Sequence, residues 1–357
     1  MTNRKDQHIK LAKEFYREES TFLDIKFVYN SFSSLALDDV SIETSEAGLK
    51  MSSPFFINAM TGGSDKAKKI NQQLARIAKR CDIAIASGSL SAALKDNSKE
   101  ESFSIIRKEN PKGLVFANIG AEKQFEEAIK AKNILKADAL QIHLNLVQEM
   151  IMFEGDRDFS NWLANIKDIN SNLDIPVIVK EVGFGMSRQT IKKLLDLKVA
   201  AIDISGKGGS NFAKIENARR ENKEYYYLED FGQSTSVSLL EAYAYSNEID
   251  IIASGGIKNP LDIVKSLALG AKAVGVSGFI LKHLLDYGEE ATVSLLLNWK
   301  KEIKVIMTIL NAKEIKDLKS KDIIILNKTK DWCVARGIDY KQFARRSFIN
   351  IWVSRLK

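Results

Sequence analysis

Cysteine, histidine and proline are all scarce in this chain: its 357 residues include two cysteines, three histidines and four prolines. Cys81 and Cys333 cannot build a disulfide framework and stand in no metal-type spacing, so they read as small buried residues. Three histidines, His8, His143 and His283, are too few for a histidine-rich zinc site. No apolar run reaches the roughly 18 residues of a bilayer-spanning helix before Lys, Asp or Glu interrupts it. The N-terminus, MTNRKDQHIK, lacks the apolar centre of a secretory signal, and the chain reads as a cytoplasmic protein with no membrane partner. Nor is there a basic stripe interleaved with aromatics: YYYLED is aromatic but flanked by acids, which argues against nucleic acid as a partner.

What is present is a soluble, core-forming composition with a basic surplus. Hydrophobic residues make up 45%, and 53 Lys and Arg against 46 Asp and Glu leave a net charge of +7. That surplus suits anionic small molecules as well as it suits surface solvation. Short apolar runs alternate with helical-period segments along most of the chain. Eight of the runs read as strands: 54–58, 82–87, 114–118, 139–144, 176–180, 200–205, 250–254 and 273–277. They are rich in Ile, Val, Leu and Ala with little alternation, as parallel strands covered on both faces are. The prolines agree, since Pro54 and Pro176 open strands, Pro111 precedes one and Pro260 stands at a helix start. A strand followed by a helix, eight times over, predicts an α/β fold of the (β/α)8 TIM-barrel type. The rival, a doubly wound sheet, lacks a GxGxxG segment after its first strand. The expected organisation is a single domain, with an N-terminal segment over 1–53, the barrel over 54–285 and a C-terminal helical extension over 286–357.

In such a barrel the carboxyl ends of the strands carry the site, and polar and glycine clusters do follow the apolar runs. The clusters are 58–64 (NAMTGGS), 87–89 (SGS), 118–121 (NIGA), 143–149 (HLNLVQE), Lys180-Glu181 and 205–211 (SGKGGSN). Ser254-Gly255-Gly256 and Ser277-Gly278 close the last two strands, where glycine admits backbone N–H groups to an anion and a helix end adds its dipole. A phosphate of FMN or of a phosphorylated substrate fits there; a tight turn is the plainer reading. Lys180, at the end of a buried strand, needs a negative counterpart. It reads as a Schiff-base nucleophile, as a cation against an electron-rich cofactor ring, or as a partner of a structural acid. Thr61, Ser89 and Asn118 on neighbouring strand ends offer the hydrogen bonds a flavin ring uses and favour the second reading. Glu149 is a single carboxylate of the kind that holds Mg²⁺ together with water and phosphate oxygens, or an ordinary acid at a helix N-terminus. His143 reads equally as a core histidine, Glu216 as an exposed helix carboxylate, and Arg4 and Lys5 as solvated terminal residues.

Taken together, NRKDQH, FINAMTGGS, ASGS, ANIGA, QIHLNLVQE, FEGDRDF, PVIVKEVGFGMS, DISGKGGSNFAKIENAR and IASGGIKNPLDIVKSLALGAKAVGVSG resemble the type 2, FMN-dependent isopentenyl-diphosphate delta-isomerase family, in order, over about residues 3 to 285. The chain departs from the family at Leu146-Val147, where a proline is frequent, and at Ser210, where Thr is common. FGQSTSVSL replaces a Gly-Ile/Val-Pro-Thr segment, which puts the shape of that loop in question. The resemblance implies isomerisation of isopentenyl diphosphate to dimethylallyl diphosphate with reduced FMN, NADPH as reductant and Mg²⁺. It implies Met60, Thr61, Gly62, Ser89, Asn118, Lys180, Ser205 and Ser210 on the flavin ring and ribityl chain, with Gly255, Gly256, Ser277 and Gly278 on its phosphate. Arg4, Lys5 and His143 would hold the substrate diphosphate and Glu149 the Mg²⁺, while Gln148 and Glu216 would be accessory proton-handling groups. It implies a homo-oligomer, tetramer or octamer. The competing class is an FMN-barrel oxidoreductase of the 2-hydroxy-acid oxidase or synthase type. Such enzymes need a His base late in the barrel, and no His stands in IIASGGIK or DISGKGGS.

Overall fold

A computed structural model describes residues 4–15 and 20–347. All eight expected runs form strands: β1 (Phe55–Ile57), β2 (Ile85–Ala86), β3 (Val115–Gly120), β4 (Ala139–Leu144), β5 (Val177–Glu181), β6 (Ala201–Asp203), β7 (Asp250–Ser254) and β8 (Ala273–Val276). Each pairs in parallel with its sequence neighbours, and Val274 of β8 registers with Phe55 of β1, so the sheet closes. Closure rules out the doubly wound rival, which leaves two open edges.

Two apolar layers sandwich the strands. Outward-facing strand residues such as Phe55, Val179 and Ile202 join the main core beneath the surrounding helices. Inside the barrel Phe56, Phe116, Ile178 and Ile252 interdigitate with Ala84, Ala86, Ala139, Ala201 and Ala273. Small residues beside large ones suit a narrow interior. The N-terminal end is closed by the hairpin Thr44–Glu46/Leu49–Met51, whose Ala47 and Met51 complete that inner layer. Thr44 Oγ1 donates to the Lys272 carbonyl (2.8 Å) and the Ala47 N–H to Asp250 Oδ2 (2.9 Å), which fastens the plug.

The opposite end is roofed by the helix Arg4–Glu14. Only Ile9 of that helix is buried, so apolar area does little to hold it. Polar contacts do: Ser64 Oγ donates to Asp6 Oδ1 at 2.7 Å, and Lys13 pairs with Asp286. The helix after β8, Gly278–Ile309, continues past the expected barrel limit and breaks at Gly288, where φ is +82°. Beyond it the chain is not helical alone, because Ile323–Ile325 forms a strand antiparallel to Ile25–Phe27, tying the C-terminal extension to the N-terminal segment.

Candidate active site

The carboxyl ends of the strands open into one pocket beneath the N-terminal helix. Its wall includes Met60, Thr61, Ser89, Asn118, Ser205 and Ser210 from the strand ends, with Lys180 among them. Gly255, Gly256, Ser277 and Gly278 lie at one end, and His143, Gln148, Glu149, Arg4 and Lys5 at the other. Two expected residues stand behind the wall. A side chain at Gly62 would collide with the Phe103 ring (1.9 Å to Cε1), so this glycine makes room for packing and does not line the pocket. Glu216 is 1% exposed and lies one layer back, touching the pocket through Gln148. That burial excludes the exposed-carboxylate reading.

At the β7 end the turn is built for close backbone approach. Gly255 has φ +92°, and a Cβ there would lie 2.0 Å from the Gly206 carbonyl oxygen; at Gly256, with φ +73°, it would meet the Gly208 backbone at 2.9 Å. Two loops thus press together at a point only glycine permits. Thr235, in the segment that departs from the family, braces this turn by donating from Oγ1 to the carbonyls of Ser254 (2.9 Å) and Gly255 (2.6 Å). The loop in question is therefore a buttress of the glycine turn. Lys258, two residues beyond Gly256, is buried against the same pocket and was not singled out by the sequence.

Lys180 Nζ donates to the Glu181 carbonyl at 2.6 Å and lies 3.9 Å from Asp203 Oδ2. Asp203 is fully buried and also accepts from Ser254 Oγ (2.6 Å) and Asn58 Nδ2 (2.7 Å). The structural acid is therefore real, and it holds Lys180 at the floor of the pocket without consuming the ammonium's three donors. Thr61 Oγ1 is buried with no protein partner. An orphaned hydroxyl, a buried ammonium and a glycine cradle at one end suit a planar polar ring carrying a phosphate tail, and FMN fits that set.

The other end of the pocket is charged. Gln148 Nε2 donates to Glu216 Oε1 at 2.8 Å, while Arg219 binds Glu216 Oε2. His8, from the roofing helix, places Nε2 3.0 Å from Glu216 Oε1, off the line of a hydrogen bond. Burial pushes the Glu216 carboxyl up, but His8, Gln148 and Arg219 outweigh it and hold the pKa down at about 2. Burial, with the Arg4 charge, lowers Lys5 to about 8, although Glu216 and Glu149 pull the other way. His143 is held neutral, its pKa brought down to about 3 by burial and by the charges of Lys180 and Lys5 against a hydrogen bond to Ile119. Glu149 accepts from Asn145 Nδ2 (2.7 Å) and the Asp156 N–H (2.9 Å), and burial raises its pKa. No cluster of three or more metal-ligating side chains exists among the described residues. A divalent cation here would rest on Glu149 with water and phosphate oxygens, a ligand set Mg²⁺ accepts.

A model of the FMN-dependent dehydrogenase family matches residues 117–325. A Latilactobacillus sakei protein named isopentenyl-diphosphate delta-isomerase is 50% identical over 326 residues, covering 91% of this chain and 93% of its own. A Staphylococcus haemolyticus protein of the same name is 45% identical over 337 residues, covering 94% and 97%. The chain belongs to the type 2, FMN-dependent isopentenyl-diphosphate delta-isomerase family. The chain shares the barrel with flavocytochrome b2 (TM-score 0.65, 15% identity, 92% of this chain and 84% of that one) and mandelate oxidase (0.62, 13%, 90% and 92%). At those identities the likeness shows the fold alone. No helix among the described residues is long and apolar enough to cross a membrane.

Proposed function

We propose that this member of the isomerase family interconverts isopentenyl and dimethylallyl diphosphate on reduced FMN, with NADPH as reductant and Mg²⁺ on the diphosphate. The observation that carries the reading is the pairing of two opposite ends in one pocket. A glycine cradle faces one end and Arg4, Lys5, Gln148 and Glu149 face the other, with Lys180 on the floor and Glu216 behind Gln148.

Bound reduced FMN supplies an electron-rich ring that can stabilise positive charge and exchange a proton at N5. The remaining work falls to the chain. Lys180, Thr61, Ser89 and Asn118 orient the ring, with Met60, Ser205 and Ser210 along it, and Gly255, Gly256, Ser277 and Gly278 take its phosphate. Arg4 and Lys5 neutralise the substrate diphosphate as the N-terminal helix closes, and closure excludes water from a site where charge develops. The reaction adds one proton to the substrate and removes another, with no net transfer of electrons. Gln148 reaches the pocket and donates Nε2–H to ionised Glu216, so a proton taken up at Gln148 Oε1 would be matched by release of an Nε2 proton to Glu216, leaving no net charge on the amide. The oxidoreductase reading needs a basic imidazole late in the barrel. The histidines that line this pocket are His8 and His143, from the roof and from β4.

Glu149→Gln tests the metal assignment. The variant should retain FMN but lose Mg²⁺-dependent affinity for isopentenyl diphosphate, measured by calorimetry. Affinity equal to the parent's would remove Glu149 from the metal site.

A further inference from the structure

Inside the barrel a chain of side-chain amides runs from a buried carboxylate to His143. Asn58 Nδ2 donates to Asp203 Oδ2 (2.7 Å), and Gln141 Nε2 donates to Asn58 Oδ1 (3.0 Å). Asn118 Nδ2 donates to Gln141 Oε1 (3.1 Å), and Asn118 Oδ1 lies 2.9 Å from His143 Nδ1. Asp203 and Gln141 are fully buried and cannot turn to water, and Asn58 and Asn118, at the pocket wall, are only 1–2% exposed.

Chemistry fixes the direction of the chain. A carboxylate only accepts, so Asn58 must present its NH₂ to Asp203. The Ala59 backbone N–H, which only donates, lies 2.9 Å from Asn58 Oδ1 and demands the same orientation. With Asn58 Oδ1 an acceptor, Gln141 must offer its NH₂ there and its carbonyl to Asn118. Asn118 must then give NH₂ to Gln141 and keep its carbonyl for His143. Reversing any one amide sets donor against donor or acceptor against acceptor in a dry interior, at a cost of about 1–3 kcal/mol for each group left unsatisfied.

We propose that Gln141 is a positioning residue which, anchored through Asn58 on Asp203, holds the Asn118 carbonyl against His143 and so fixes that imidazole as the Nδ1–H tautomer with Nε2 unprotonated. The consequence lies in what His143 offers the pocket it lines. A neutral ring with its proton on Nδ1 presents Nε2 as an acceptor, not a donor. On the functional reading above, an anionic phosphate oxygen that reaches Nε2 must therefore bring a proton with it. Gln141 itself does not line the pocket and acts only through Asn118.

The test is ¹⁵N NMR of the FMN-loaded protein labelled at histidine, where three rings are simple to assign by substitution. For the parent at neutral pH, His143 should show a pyrrole-like Nδ1 and a pyridine-like Nε2. Gln141→Met removes the link at similar volume and frees Asn118 to reverse, so both nitrogens should move toward averaged values. Gln141→Glu, with a protonated carboxyl donating to Asn58 and accepting from Asn118, should restore the parental pattern. A parental Nε2–H ring, or a Met variant with the parental pattern, would overturn the proposal, and the parental measurement stands even if a variant fails to fold. Adding inorganic pyrophosphate with Mg²⁺ separates this inference from the functional reading. A parental Nε2 that turns pyrrole-like supports both. An unmoved ring contradicts diphosphate contact at His143 while the tautomer result decides the relay.

Discussion

Gln148 and Glu216 meet at 2.8 Å, amide to carboxylate, with the carboxylate walled off from solvent by His8 and Arg219. Gln148 and Arg219 donate to this buried acid and, with His8 3.0 Å away, keep it ionised and so able to take a proton. Glu216→Gln should lower turnover by about 10²–10⁴-fold, the range of a lost general acid–base group, while FMN absorbance per protein stays unchanged. Turnover at the parental rate would reduce the pair to packing.

Gly255→Ala should be far more damaging than a methyl group suggests. The new Cβ would stand 2.0 Å from the Gly206 carbonyl at a φ of +92°, so one of the two loops must move. Loss of FMN after gel filtration, with far-ultraviolet circular dichroism preserved, is the expected outcome. Full FMN retention would show that the turn is not the phosphate cradle.

Glu46 sits within the barrel plug with both carboxyl oxygens buried and unpartnered. Burial, with Asp250 and Asp203 nearby, raises its pKa to about 8 from 4.5. The folded protein thus keeps a proton that the unfolded chain releases, and the stability Glu46 allows falls as pH rises through that interval. Glu46→Gln should leave stability near pH 4 unchanged and raise it at pH 7.5 by on the order of 2–4 kcal/mol. Denaturant melts at both pH values check this; an equal effect at the two would contradict it.

Glu241 behaves in the opposite sense. It is fully buried and receives Arg188, Arg336 and the Trp332 indole N–H. Burial works to raise its pKa, but those donors bring it down to about 2 from 4.5. Its contribution is present above pH 4.5 and is lost as pH falls toward 2. Because both arginines remain partly in water, Glu241→Gln should cost about 1–3 kcal/mol at neutral pH, visible as a lower Tm that converges with the parent's in acid.

Much of the barrel was legible in the sequence because parallel strands buried on both faces read as unbroken Ile, Val and Ala runs, each followed by its glycine or polar cluster. Residues that work from within those runs were not. Asp203 in AAIDIS and Gln141 in ALQIHL are the polar exceptions in apolar strands, and only closure of the barrel shows that Asn58 joins them. Glu216 was ambiguous for a related reason, since what buries it is His8 on a helix that looks solvated by composition. The Ile25–Phe27 and Ile323–Ile325 pairing was invisible, because three residues are too few to display a period.

The most direct measurement is anaerobic turnover of isopentenyl diphosphate by the purified protein with FMN, NADPH and Mg²⁺, with product followed by NMR and NADPH by absorbance. Dimethylallyl diphosphate formed in large excess over NADPH consumed is the predicted result, because the reaction moves a double bond without moving electrons. FMN bound and reduced with no isomerisation, or product formed only in step with NADPH, would contradict the account.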